Sequence, residues 1–166
     1  SKAGAVATIK SSRIIENVAR ATSPNGRFAE GGGIFSRRDT TLTIVASVVG
    51  DNQVELATAM SNVVTSGTLA QAGGIKIGPR AVATIRATVI AGNSVTETNE
   101  TGDAVAFSGA LQVDGPLELH GSAISRNRVT AAVPAGSAAT ASADSGAGEI
   151  DGDASIRGSS FPWPQA

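Results

Sequence analysis

The fold of this chain is decided by the stretch Leu42-Thr43-Ile44-Val45-Ala46-Ser47-Val48-Val49-Gly50-Asp51-Asn52, which recurs along the sequence. Related segments occupy 7–17, 83–93, 117–127 and 154–161, so the chain contains five imperfect copies. The central aliphatic residues of the copies are Ile9, Ile44, Ile85, Leu119 and Ile156. Their spacings of 35, 41, 34 and 37 residues indicate constant strands that are joined by connections of variable length.

A second element, which begins with glycine, precedes four of the copies. It reads Gly32-Gly33-Ile34-Phe35, then Gly73-Gly74-Ile75-Lys76-Ile77, then Gly109-Ala110-Leu111-Gln112-Val113, then Gly146-Ala147-Gly148-Glu149-Ile150. Both elements alternate small or aliphatic residues with polar ones, which is typical of strands. One coil of such strands cannot bury its own apolar face, whereas coils stacked about 4.8 Å apart can.

The sequence therefore predicts an all-β solenoid, a right-handed parallel β-helix of about five coils. The first copy lacks the glycine element, so we expect the chain to be a fragment of a longer solenoid. We expect the repeats to span 1–160 and residues 161–166 to form a C-terminal cap or linker, because Pro162-Trp163-Pro164 interrupts the pattern.

The composition fits narrow layers of small side chains. Hydrophobic residues make up 41% of the 166 residues, but aromatic residues make up only 3%. The absence of cysteine excludes disulfides and thiolate catalysis. The formal net charge of −1 gives no indication of nucleic-acid binding, and no run of 18 apolar residues predicts a transmembrane segment.

Aligning the copies predicts which residues stack in successive coils. One inward column is Ala7, Leu42, Ala83, Leu117 and Ala154, and the central aliphatic residues form the next. A third inward column is Ile14, Val49, Ile90, Ile124 and Phe161. A column of small hydroxyls, Ser12, Ser47, Thr88, Ser122 and Ser159, is expected at a bend, where hydroxyls can bond to the backbone.

Four asparagines end the copies and are predicted to form a structural ladder at a corner: Asn17, Asn52, Asn93 and Asn127. Asparagine tolerates a left-handed backbone, and its amide can bond to the asparagines above and below it. The alternative is that these amides bind a ligand.

The pairing of a Gly-Gly-x-Ile element with an aliphatic-x-x-Asn element resembles the repeats of polymorphic outer-membrane-protein passengers and related bacterial β-helix surface proteins. In that family the elements read roughly Gly-Gly-Ala-Ile and Phe-x-x-Asn. Here Gly33-Ile34 and Gly74-Ile75 match the first element in part, and Ile14, Val49, Ile90 and Ile124 replace the aromatic residue of the second. The resemblance covers nearly the whole chain and implies a pectin-lyase-like fold at a bacterial outer-membrane surface or outside the cell.

A candidate binding surface lies on the outward side of the repeated strand. Its basic column contains Lys10, Arg86, His120 and Arg157, with Val45 in the second copy. Beside it stand Thr8, Thr43, Thr84, Glu118 and Ser155. Arginine and lysine suit the carboxylates of an acidic polysaccharide. The alternative is an ordinary solvated strand face, on which cations discourage aggregation.

Two further clusters suggest chemistry. Glu149, Asp151 and Asp153 surround Gly152 and could hold Ca²⁺ through oxygen ligands, although the spacing is not that of an EF-hand and the carboxylates could simply be exposed. No other cofactor is indicated. His120 would need an aligned partner to act in catalysis, and the sequence places none.

The longer connections, 19–30, 55–72, 96–108 and 130–145, all follow the asparagine corner. We expect them to be loops on one edge of the solenoid, either as a binding surface or as idle insertions.

The functional hypothesis is a non-enzymatic secreted or cell-surface module, adhesin-like or structural. Its expected partners are a polysaccharide or a host or cell-surface protein, together with neighbouring β-helix segments of the same parent chain. The alternatives are a polysaccharide lyase or hydrolase that acts on an acidic glycan, and an inert stalk spacer. An enzyme would need a carboxylate pair, or a base with Ca²⁺, on one face.

Overall fold

The computed structural model of the chain describes residues 4–22, 28–58, 69–136 and 139–161. All regular secondary structure within these ranges is β-strand. We call each set of five consecutive strands a coil. The first coil contains β1 (Val6–Lys10), β2 (Arg13–Ile15), β3 (Val18–Thr22), β4 (Phe28–Glu30) and β5 (Ile34–Ser36). The second contains β6 (Thr41–Val45), β7 (Val48–Gly50), β8 (Gln53–Thr58), β9 (Leu69–Gln71) and β10 (Ile75–Ile77).

The same order continues to the end of the described chain. The third coil contains β11 (Val82–Arg86), β12 (Val89–Ala91), β13 (Ser94–Asn99), β14 (Ala104–Phe107) and β15 (Leu111–Val113). The fourth contains β16 (Leu117–His120), β17 (Ala123–Ser125), β18 (Arg128–Ala132), β19 (Ala141–Asp144) and β20 (Gly148–Ile150). A fifth coil begins with β21 (Ala154–Arg157).

Equivalent strands of successive coils pair in parallel and form five sheets that run along the solenoid. The sheet β1-β6-β11-β16-β21 has five strands, and the other four sheets have four strands each. The predicted parallel β-solenoid is therefore confirmed. It has four complete coils rather than five, because the last copy contributes one strand and an isolated bridge between Ala123 and Ser160.

The register within the five-stranded sheet is the one that the repeat predicts. Ile44 pairs with Ile9 and Ile85, and Leu119 pairs with Ile85 and Ile156. In the adjacent sheet Val49 pairs with Ile14 and Ile90. The middle members of these columns are buried in one continuous core, which also includes Ile75, Leu111 and Val113 from the glycine elements.

The bend after the five-stranded sheet uses a left-handed residue in each coil. Ala46 and Ala87 have φ of 49° and 47°, and Gly121 has φ of 56° at the equivalent position. The next residue closes the bend, since the Ser47 and Thr88 hydroxyls donate to the carbonyls two residues earlier at 2.8 and 2.9 Å. The hydroxyl column thus satisfies backbone groups at the bend.

The prediction that the long connections are loops was wrong for much of their length. β3, β8, β13 and β18 extend from the asparagine corner into these segments, and β4, β9, β14 and β19 form another sheet within them. The strands of the first set alternate inward with outward residues. Val54 and Leu56 are inward and apolar, whereas β13 also turns Glu97 and Asn99 inward, and both are fully buried. The apolar inward residues pack into a second, smaller core that contains Ala29, Ala70 and Ala106.

The C-terminal tail lies largely outside the described residues. Phe161 is 41% exposed, so it does not form the buried end of its predicted column. Residues 162–166 are outside the described ranges, and their role as a cap or linker stays a prediction.

Candidate functional site

The four asparagines of the predicted ladder lie in one column. The side-chain amide nitrogens of Asn17, Asn52 and Asn93 each donate to the amide oxygen of the next asparagine at 2.9 Å, and the last of these bonds reaches Asn127. The same oxygens also accept the backbone N–H of the preceding asparagine. Asn52 and Asn93 are fully buried, and their amides bond to neighbouring asparagines and to backbone carbonyls.

The glycine element packs directly against this ladder. A Cβ atom added to Gly33 would lie 2.9 Å from the amide nitrogen of Asn52, and one added to Gly74 would lie 3.1 Å from that of Asn93. The two repeated elements therefore pack against each other. Glycine has no side chain and so leaves room for the buried amide of the asparagine.

The basic column stands on the outward side of the five-stranded sheet, as predicted. Lys10, Arg86, His120 and Arg157 are all exposed, and each extends from a different coil. Val45 separates Lys10 from Arg86, so the continuous basic part consists of Arg86, His120 and Arg157. Successive members are one strand spacing apart, about 4.8 Å.

A shallow depression joins the continuous part of this column to its neighbours. It is lined by Arg86, Glu118, Leu119, His120, Ser155 and Arg157. A guanidinium nitrogen of Arg86 lies 3.1 Å from a carboxylate oxygen of Glu118. Both side chains are more than half exposed, so this ion pair is of the kind that contributes about 0–1 kcal/mol. The pair lowers the local positive charge but is weak enough for a ligand carboxylate to replace Glu118.

The structure does not arrange the predicted calcium ligands as a metal site. Glu149 lies half-buried in β20, whereas Asp151 and Asp153 are exposed in the segment between β20 and β21. Among the described residues, no group of three or more histidine, aspartate or glutamate side chains is placed to hold a metal ion.

Glu149 belongs instead to a polar surface that the sequence did not reveal. Burial raises the pKa of Glu149, and the nearby carboxylates of Asp151, Asp144 and Asp114 raise it further, while Lys76 partly offsets them. We call this surface the corner groove. It lies where the sheet containing β4, β9, β14 and β19 meets the sheet containing β5, β10, β15 and β20. Its first three coils are lined by Glu30, Phe35, Arg37, Arg38, Lys76, Gly78, Pro79 and Asp114. In the fourth coil it continues to Asp144, Glu149 and Asp151.

The floor of the corner groove is buried although its side chains point outward. Lys76 and Gln112 alternate with inward core residues on β10 and β15, yet each is only 5% exposed. The Lys76 ammonium nitrogen lies 2.9 Å from the Gln71 side-chain oxygen and 3.3 Å from an Asp114 carboxylate oxygen. The Gln112 side-chain oxygen has no hydrogen-bond partner among the described residues. Outward side chains meet across the bend because the bend is concave.

Comparison with known proteins gave no match to a protein-family model, to a curated protein or to a solved structure. Within the described residues, no helix has the length and apolar character needed to span a membrane.

Proposed function

We propose that this chain is a non-enzymatic, adhesin-like module of a bacterial secreted or cell-surface β-helix protein, and that it binds an acidic polysaccharide along the basic column. The observation that carries the proposal is the alignment of Arg86, His120 and Arg157 in successive coils, exposed and in register. The repeat resemblance in the glycine and asparagine elements supports the surface location.

The proposed ligand is a polymer because the binding groups recur along the solenoid. Arginine forms paired hydrogen bonds with carboxylates, and Arg86 and Arg157 lie on either side of His120. Each exposed contact contributes little in water, so useful affinity requires several contacts along one chain. Hydroxyl groups beside the column, such as that of Ser155, supply neutral hydrogen-bonding partners for sugar hydroxyls.

Binding is favoured over catalysis by the acids around the column. Among the described residues that line the depression, Glu118 is the one carboxylate, and it is paired with Arg86. Glycoside hydrolysis usually employs two carboxylates on either side of the scissile bond. A carboxylate pair is therefore lacking in the described part of this depression.

The experiment is retention of the whole chain on immobilised polygalacturonate and on a neutral glucan. We expect retention on the acidic polymer alone, weakened by salt. Arg86→Ala together with Arg157→Ala should weaken retention about tenfold or more, which corresponds to about 1.4 kcal/mol. Glu118→Gln should strengthen retention, because it removes the carboxylate that competes for Arg86.

The matched control is Arg20→Ala, which removes an exposed arginine that is ion-paired with Glu55 on a different sheet. Unchanged retention in the Arg86/Arg157 double variant would reject the basic column as the binding surface. Release of unsaturated products or new reducing ends would make the chain a lyase or hydrolase. If the chain is neither retained on the polymers nor cleaves them, a stalk spacer becomes the favoured function. The continuous columns of the core are the feature that supports a spacer.

A further inference from the structure

The corner groove changes the sign of its charge along the solenoid. In the first coil Arg37 and Arg38 outweigh Glu30, and all three residues line the groove. Among the described residues that line the groove, Lys76 is the charged residue of the second coil. The first coil of the groove is therefore positive, whereas the charge of Lys76 is offset by Asp114, whose carboxylate oxygen lies 3.3 Å from the Lys76 ammonium nitrogen.

The opposite end of the groove, in the fourth coil, is negative. Asp114 is the charged groove residue of the third coil. Asp144, Glu149 and Asp151 represent the fourth, where Asp144 pairs with Phe107 and Glu149 pairs with Gln112 of the coil before. These carboxylates lie near one another: burial raises the pKa of Glu149, Asp151 and Asp144 raise it further, and Lys76 offsets part of the shift. The acidic end is thus short of positive charge within the described chain.

We propose that two copies of this chain associate through their corner grooves, aligned in opposite directions, so that the end of the groove that carries Arg37 and Arg38 in each copy faces the end that carries Asp144, Glu149 and Asp151 in the other. A two-fold axis between the second and third coils brings the positive end of each groove onto the negative end of its partner. Such an interface is isologous, because the same patch serves both copies.

Charge complementarity selects a second copy over a foreign partner. A purely basic peptide would be attracted to the acidic end but repelled by Arg37 and Arg38 at the other end. A purely acidic ligand would be attracted to Arg37 and Arg38 but repelled by the acidic end. The four coils step by about 4.8 Å each, so the charged ends are about 14 Å apart. A second groove reproduces both the separation and the opposite order.

Exposed aromatic side chains add apolar area at the positive end. Phe35 lines the groove and is 41% exposed, and the Arg37 guanidinium carbon lies 5.7 Å from the centre of its ring. Phe28 of the adjacent sheet is 58% exposed. The narrow groove makes a small interface, and interfaces below about 1,200 Å² in total are typical of weak, transient association. The dimer is accordingly expected to be weak and sensitive to salt.

The groove lies on different sheets from the basic column, so this inference is independent of glycan binding. Its test is sedimentation velocity of the whole chain over a concentration series. At about 0.01 M salt, where the Debye length is about 30 Å, we expect the mass to rise towards that of two chains. At about 1 M salt, where the Debye length is about 3 Å, we expect one chain.

Charge-swap variants identify the interface. Arg37→Glu with Arg38→Glu should be monomeric at low salt, and so should Asp144→Lys with Asp151→Lys. A mixture of the two should form a heterodimer, because each contact then joins opposite charges again. The control Arg20→Glu reverses a charge on a different sheet and should leave the dimer intact. Circular dichroism checks that each variant is folded.

A wild-type chain that stays monomeric at low salt would overturn the proposal. Dimers that persist in either double variant, or a mixture that stays monomeric although both variants are folded, would also overturn it. A monomeric wild-type chain that binds polyarginine would assign the acidic end to a foreign basic partner instead.

Discussion

Replacing Asn93 with alanine is expected to destabilise the chain by about 3–5 kcal/mol. The Asn93 side-chain oxygen accepts bonds from the backbone and side-chain N–H groups of Asn52 at 3.1 and 2.9 Å. Its amide nitrogen donates to the Val49 carbonyl at 3.0 Å and to the Asn127 side chain at 2.9 Å. Alanine leaves several of these buried groups without partners, and each such group costs about 1–3 kcal/mol.

The measurement is urea unfolding followed by far-UV circular dichroism. Asn17→Ala is the matched control, because Asn17 is exposed at the first coil of the ladder. After that change the Asn52 oxygen still accepts the backbone N–H of residue 17, so the expected loss is below about 1.5 kcal/mol. Equal losses in the two variants would mean that burial of the ladder does not determine its contribution to stability.

The second large effect is expected for Gly73→Ala, at about 3 kcal/mol. A Cβ atom at this position would lie 2.6 Å from the Gly109 carbonyl oxygen and 2.6 Å from the Ser94 carbonyl oxygen. Both atoms belong to backbone that is held in the stack, so neither moves without disturbing its sheet. Overpacking of this kind costs about 1–3 kcal/mol and occasionally more. The equivalent residues of the other coils, Gly32, Gly109 and Gly146, are also glycine.

Gly121→Ala separates this steric effect from a general effect of losing glycine. Gly121 has φ of 56°, but no atom lies within 4 Å of an added Cβ. Ala46 and Ala87 already occupy the equivalent position in other coils with positive φ. We expect a change within about 1 kcal/mol by thermal unfolding. A Gly73→Ala variant as stable as Gly121→Ala would contradict the close approach of coils at the glycine element.

The sequence was informative where the copies align without gaps. The segment 42–52 and its relatives predicted the register of Ile44 and Val49 with their neighbours, and this register is confirmed. Because the spacing within the segment is constant, one correctly aligned residue pair between neighbouring strands determines all the other residue pairs of the segment. The glycine element was equally predictive, because its strands follow at the same offset in four coils.

The sequence was misleading where strands are short and their inward residues are small. Ala19, Ala21 and Ala131 pack against the second core, but alanine gives a weak alternation signal beside threonine and serine.

The corner groove was missed for a different reason. Alternation correctly puts Lys76 and Gln112 on the outward side, but it cannot reveal that a concave bend buries them. That burial depends on how two sheets meet, which no single repeat encodes.

The most direct test of the stacked-coil account is measurement of NMR couplings across backbone hydrogen bonds in the isotope-labelled chain. For the stacked coils we expect couplings from the N–H groups of Gln53, Ser94 and Arg128 to the carbonyl carbons of Asn17, Asn52 and Asn93, respectively. Each coupling would join a residue to the one that precedes its parallel partner in the coil before. Couplings from these N–H groups to carbonyls nearby in sequence, or a pattern of antiparallel pairs, would contradict the solenoid.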